Sequence, residues 1–398
     1  MNAKIPVKFE NIVPIRSSKH RSDVRSVVLE TRVVTGTGGG PEKTIINTPR
    51  YMNPFGYPTL CAYMHPPKDP GFSVLEARAL KQECSLIGVD DRGMLDWSVV
   101  SRLLEICVQN DVGIWHGHDY KSNLFGLLLR RKHPMKLITT VHGWVRHTWK
   151  TPLYYALDRW CLKHYDHVIC VSHDLRDRCL KLGVRPERCS LVENAIDTKQ
   201  YSRRISVEAA KKQFQFPTDR LIVGACGRLS PEKNFAGLIQ AVSELIHEGL
   251  PLSLYIAGEG SIQSTLQKQI DASGNADFIR LIGFRDNIQE FYQGLDLFVL
   301  NSLREGLPNV VLEAMSYEVP VLSTRVAGVP NLITNGYNGV LIDIRDAAAL
   351  KVNLRLLAEK PDYRRMIAEN GNLTVIHQFN FGLRMKKIRA IYDKILDS

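Results

Sequence analysis

Short runs of β-branched and other apolar residues recur along this 398-residue chain, separated by stretches with helical periodicity. The first half offers candidate strands at 26–34, 59–64, 112–118, 136–142, 167–172 and 189–196. The second half offers 221–227, 252–258, 279–284, 295–301, 320–325 and 339–343. A helix is expected over 96–110, with Asp96 as its N-cap and Val99, Val100, Leu103, Leu104 and Cys107 sharing one face. Strand–helix alternation of this kind predicts parallel sheets with helices on both faces, an α/β class. The pattern loosens over 197–220, which is rich in Lys, Arg and Gln, and the length exceeds what one core usually covers. The expected plan is an arm over 1–25, a doubly wound domain over 26–196, a linker over 197–219, a second such domain over 220–378, and a last helical segment over 379–398. Doubly wound domains carry ligand loops at the carboxyl ends of their strands, so two in tandem predict a site in a cleft that both face.

Charge is unevenly spread. Of 52 basic and 41 acidic residues, positions 1–200 hold 29 and 20, a net of +9, whereas 201–398 hold 23 and 21, a net of +2. A basic first half favours a phosphorylated ligand or a membrane surface. Nucleic acid is not expected, because no zinc-knuckle spacing or RNP-type aromatic motif accompanies the charge. The eight cysteines form no Cys-x-x-Cys pair and mostly sit in apolar runs, as buried reduced thiols do. No apolar run approaches the roughly 20 residues a membrane helix needs, and no apolar signal segment opens the sequence. The expectation is a cytoplasmic protein, at most peripheral at the inner face of a membrane.

Four segments carry candidate chemistry. In the first, a strand ending at Asn301 leads through Glu305-Gly306-Leu307-Pro308-Asn309 into a helix that includes Glu313. Proline suits a helix start, and free amides within 307–310 with the helix dipole suit an anion. A carboxylate on each side suits a nucleotide sugar: Glu305 for sugar hydroxyls, Glu313 for ribose. The second is Gly227-Arg228-Leu229-Ser230-Pro231-Glu232-Lys233, where Arg228 and Lys233 flank a tight loop after a strand and could converge on a diphosphate. The third is Thr35-Gly36-Thr37-Gly38-Gly39-Gly40, where Gly38 and Gly39 allow close backbone approach by a ligand. The fourth comprises the strand ends at His118 and at His142-Gly143-Trp144, with His118, His142 and Trp144 as candidates near a sugar or acceptor. Their spacing suggests no metal site.

Together these segments resemble retaining glycosyltransferases of the GT-B fold, family 4, over nearly the whole chain after residue 25. The most specific element is Glu305-x7-Glu313, supported by Gly227-Arg228 with Lys233, the Gly38-Gly39 loop, His142-Gly143, Val171-Ser172 and Glu193-Asn194-Ala195-Ile196-Asp197. The resemblance implies two Rossmann-like domains facing a cleft, with the donor held mainly by the second. It implies metal-independent transfer with retention and no cofactor. It places Arg228 and Lys233 on the diphosphate, Glu305 on the sugar, Glu313 on the ribose and His142 near the reacting face of the sugar. The final helix would pack back on the first domain. One departure is the loop Val326-Ala327-Gly328-Val329-Pro330-Asn331, with Ala and Asn where the family often has Gly and Glu. The expected function is transfer of a hexose-type sugar from a nucleoside diphosphate to a sugar or lipid-linked acceptor, in cell-envelope or exopolysaccharide assembly. The aromatic and cationic run 144–150 would suit peripheral membrane contact. Epimerisation or phosphorolysis on the same architecture, or donor binding without catalysis, are the alternatives.

Overall fold

The computed structural model describes residues 24–93, 96–143, 151–285, 287–305 and 308–398. The chain divides into two compact units. One comprises residues up to Val171 with Leu175–Val192 and Met385–Ser398, the other Ser172–Asp174 with Glu193–Arg384.

The first unit holds seven strands, β1 (Val27–Val33), β2 (Thr59–His65), β3 (Ser85–Asp90), β4 (Val112–Gly117), β5 (Lys136–Val141), β6 (His167–Cys170) and β7 (Cys189–Leu191), in the spatial order β3-β2-β1-β4-β5-β6-β7. The second holds six, β8 (Leu221–Cys226), β9 (Leu252–Ala257), β10 (Ile279–Gly283), β11 (Leu297–Leu300), β12 (Val321–Thr324) and β13 (Val340–Ile342), in the order β10-β9-β8-β11-β12-β13. Every strand pair is parallel. These are the doubly wound sheets expected from the strand–helix alternation. β3 was not expected. It is an edge strand that is only half-buried, with a glycine at 88, so it lacks the apolar run that marks its neighbours.

Alternation along the strands builds two cores in the second unit. Ile222, Tyr255, Phe298, Leu300 and Val321 pack on one face with Phe291, Leu312 and Tyr317. Val223, Leu254, Ile256, Val299 and Leu322 pack on the other with Leu238, Leu245 and Leu354. A parallel strand buried on both faces must be apolar at nearly every position, and these are. In the first unit, Asp96 caps the helix Trp97–Gln109 by accepting from the Ser98 amide at 3.1 Å, and Val99, Leu103 and Cys107 turn into the core. Residues 197–219, expected as a linker, include the helix Val207–Phe214, capped by Ser206. All eight cysteines are free thiols, seven of them buried.

The last segment completes the first unit. Tyr392 is fully buried and its hydroxyl lies 2.7 Å from Nδ1 of His116 on β4. Asp393 beside it accepts from the Tyr57 hydroxyl at 2.5 Å and pairs with Arg25. Tyr392→Phe keeps the ring and removes the nearer partner of His116 Nδ1, leaving Glu30 Oε1 at 3.4 Å. The expected loss in urea unfolding is about 1 kcal/mol, typical of one net hydrogen bond.

Candidate functional site

In both sheets the strand order reverses beside the first strand, between β1 and β4 and between β8 and β11. Loops leaving the carboxyl ends there diverge and leave room for a ligand. Those are the loops that carry the sequence candidates: Gly36–Gly39 after β1, His118 after β4, Gly227–Lys233 after β8, and 301–305 after β11.

In the second unit, two of these loops are clipped together. The Leu303 amide donates to the Glu232 carbonyl at 2.7 Å, and Asn301 Nδ2 donates to the Asn234 carbonyl at 3.2 Å. This brings Lys233 Nζ to 2.5 Å from Glu305 Oε1, although 72 residues separate them. Ser302 Oγ donates to the same oxygen at 2.6 Å, and the Ser302 carbonyl is held by Thr324 Oγ1 at 2.7 Å. Arg228 is exposed on the same loop as Lys233. Pro308 is buried just before the helix Asn309–Ser316, which begins at Asn309. Glu313 lies inside that helix, is 3% exposed, and accepts from the Tyr292 hydroxyl at 2.9 Å. Gly306 and Leu307 lie outside the described residues.

The Arg228 loop rests on backbone. Gly227 N donates to the Ala257 carbonyl at 3.0 Å, and Leu229 N to the Glu259 carbonyl at 2.8 Å. Gly258 has φ +139°, and a Cβ there would lie 1.9 Å from the Gly227 carbonyl oxygen. Only glycine lets the two loops approach this closely. Ala327, where the resemblance expects glycine, also takes a left-handed backbone at φ +44°.

In the first unit, Gly39 N donates to Glu42 Oε2 at 2.6 Å, and Gly40 opens the helix Gly40–Met52. Gly38 is exposed with φ +70°. His118 and His142 meet: His118 Nδ1 lies 3.0 Å from His142 Nε2. His118 Nε2 contacts the Glu30 carboxylate, and Glu30 pairs in register with His116 on the adjacent strand. His116 Nε2 lies 2.8 Å from Thr140 Oγ1. Glu30, His116 and His118 are buried, and His142 is half-buried. Burial pushes the Glu30 carboxyl up, but His116 and His118 outweigh it and hold it well below the usual carboxylate range. Burial pushes His118 down to about 4 against the pull of Glu30. The state is therefore an ionised carboxylate beside a neutral imidazole.

One donor atom each from Glu30, His116 and His118 lies within 4.8 Å of the others, close enough to bracket a cation. Yet all four ring nitrogens of the two histidines already have protein partners. This is a hydrogen-bonded set first. Trp144 and the rest of 144–150 lie outside the described residues.

Sequence reasoning missed Glu30, His116, Ser302, Tyr292 and Gly258. The legible signals were a lone carboxylate inside the first apolar strand and a His-x-His pair that must share one strand face. Ser302 and Tyr292 left none, because their roles rest on contacts that only folding makes.

Two family profiles match the chain in succession, Glycosyltransferase Family 4 over residues 38–200 and Glycosyl transferases group 1 over 206–374. The chain is 25% identical over 307 residues to the UDP-Gal:alpha-D-GlcNAc-diphosphoundecaprenol alpha-1,3-galactosyltransferase of Escherichia coli, covering 75% of this chain and 79% of that one. It is 26% identical over 305 residues to N-acetyl-alpha-D-glucosaminyl L-malate synthase of Bacillus anthracis, covering 75% and 78%. Among solved structures, Anabaena Alr3699/HepE in complex with UDP and glucose superposes with a TM-score of 0.80 at 18% identity, covering 93% of this chain and 100% of that one. That last likeness is one of fold.

Two outcomes follow from the geometry. Gly258→Ala should destabilise the second unit by about 2 kcal/mol or more in urea unfolding, since it adds both a clash and backbone strain. Separately, His118 and His167 are each lowered by burial from 6.5 to about 4. Below pH 6.5 the unfolded chain binds protons that the folded one refuses, so stability present at neutral pH is lost as pH falls toward 4. Calorimetry should show a falling Tm from pH 7.5 to 5, with about two protons taken up on unfolding near pH 5.

Proposed function

Because the chain belongs to the group 1 glycosyltransferases of the GT-B fold, we propose that it moves a hexose from a nucleoside-diphosphate donor to an acceptor hydroxyl with retention at the anomeric carbon. The observation that carries this reading is the clipped pair Lys233–Glu305 beside Arg228. In the proposed complex, Lys233 and Arg228 hold the diphosphate. Glu305, already aimed by Ser302, receives the sugar hydroxyls. Glu313 receives the ribose hydroxyls, with Tyr292 fixing one of its oxygens. The helix start at Asn309, with Pro308 before it, receives the phosphates, and Gly227 allows the loop its turn. In the first unit, the Gly38–Gly39 turn and His142 are the proposed ligand contacts, and His118 stands behind His142.

Bond cleavage leaves negative charge on the departing diphosphate, and fixed cations stabilise that charge most in the transition state. Arg228 and Lys233 supply two positive charges there, so the proposed reaction runs without a metal. EDTA should leave turnover unchanged.

The relatives suggest two acceptor classes. One acts on a diphosphoundecaprenol-linked sugar and the other is an L-malate synthase. The basic first half favours the lipid-diphosphate class, at a membrane surface and in envelope polysaccharide assembly. No helix among the described residues is long and apolar enough to cross a membrane, so such contact would be peripheral.

Thermal-shift screening against nucleotide sugars identifies the donor, since a ligand that binds only the folded state raises Tm. Transfer is then assayed with polyprenyl-diphosphate sugars and with small soluble acceptors in parallel. Activity confined to the soluble set would overturn the lipid assignment. An acceptor-independent change in the donor sugar would favour epimerisation. Lys233→Ala should lower kcat by about 100-fold or more, comparable to losing an oxyanion donor. Near wild-type kinetics would sink the diphosphate assignment.

A further inference from the structure

The chain of contacts from Glu30 through His118 to His142 dictates where protons sit. Ionised Glu30 can only accept, so His118 Nε2 carries the hydrogen shared with it. A neutral His118 protonated at Nε2 presents a lone pair at Nδ1. His142 Nε2, 3.0 Å away, must then donate to it. A neutral His142 with hydrogen on Nε2 has Nδ1 as its acceptor. The orientation of one imidazole is thus determined by a carboxylate two residues away along the hydrogen-bond chain.

Neighbouring charges do not compete for this role. Glu42 pairs with Arg32 and accepts from the Gly39 amide. Asp119 accepts from the amides of Val33, Lys121 and Ser122. His116 lies 3.4 Å from the second Glu30 oxygen and is held by Tyr392 and Thr140. Glu30 is on the interior strand β1, and His118 and His142 follow directly on the carboxyl ends of β4 and β5. Glu30 is therefore held within the sheet, and each histidine sits directly after a strand.

We infer that Glu30 and His118 are positioning residues that hold His142 as its Nε2–H tautomer, making Nδ1 the acceptor for a substrate hydroxyl. The tautomer follows from the hydrogen-bond geometry with Glu30 ionised and both imidazoles neutral. Its use in turnover rests on the glycosyl-transfer reading above. Replacing Glu30 by glutamine keeps the shape and removes the constraint. The glutamine amide can either accept from or donate to His118 Nε2, and donation reverses every hydrogen bond in the chain and moves the His142 proton to Nδ1.

The first test needs no variant and no substrate. Long-range 1H–15N NMR of 15N-histidine-labelled full-length protein at neutral pH distinguishes the tautomers. His142 is assigned among the 12 histidines by its absence in His142→Asn. An Nε2–H pattern is expected, and an Nδ1–H pattern would overturn the inference. The second test is a kinetic cycle over wild type, Glu30→Gln, His142→Asn and the double variant. Glu30→Gln should lower kcat about tenfold or more, as losing an aligned acid–base partner does, with donor KM changed less than about twofold. In the His142→Asn background the same substitution should have little further effect, because its route to substrate is gone. Equal losses in both backgrounds would mean a merely structural role and would overturn the positioning claim. Absence of transfer with every donor would count against the proposed reaction, while the wild-type spectrum would still decide the tautomer.

Discussion

Parallel pairing is the constraint on which everything else rests. Because each strand in both sheets runs the same way as its neighbour, all carboxyl ends of a sheet share one edge, and the crossovers return on the faces. Reversal of strand order beside β1 and β8 makes adjacent loops part company at that edge. Residues far apart in sequence then meet by construction. Lys233 and Glu305 meet across 72 positions and Glu30 and His118 across 88. Neither meeting depends on a long structured loop.

The two units solve the problem of polar groups at a sheet edge differently. The second keeps its opposite charges partly accessible and lets them neutralise one another, with Ser302 and Thr324 as a supporting ladder. The first buries a carboxylate and sets two imidazoles against it, which cost less to bury than full charges. The second arrangement can exchange partners. The first is fixed, and suits orientation better than binding.

Much of this was legible in the sequence. Twelve strands and the Asp96 cap followed from periodicity and end signals, since a strand buried on both faces has few ways to be spelled. The motif residues at strand ends could be placed because a strand-to-helix turn leaves a recognisable glycine, proline or cap. Edge strand β3 was hidden by its partial exposure. Glu30 stood out as a lone carboxylate in an apolar strand, but its partners did not, because local pattern does not encode which strands become neighbours. Ser302 and Tyr292 were hidden because serine and tyrosine are at home in many unrelated settings. Gly258 looked like any turn glycine until the backbone beneath it could be seen.

The Lys233–Glu305 contact has one more consequence on the proposed reading. Lys233 and Glu305 satisfy each other, although one would hold phosphate and the other sugar. Binding is therefore an exchange of partners. A bare anion could take Lys233 but would strand Glu305 beside fresh negative charge. A bare sugar could occupy Glu305 but would offer Lys233 no counter-ion. Only a molecule with both parts lets the pair separate without isolating either charge, as a lock that turns only with two keys. Once the sugar had left, the spent nucleotide would hold one key, and re-formation of the ion pair would help to expel it.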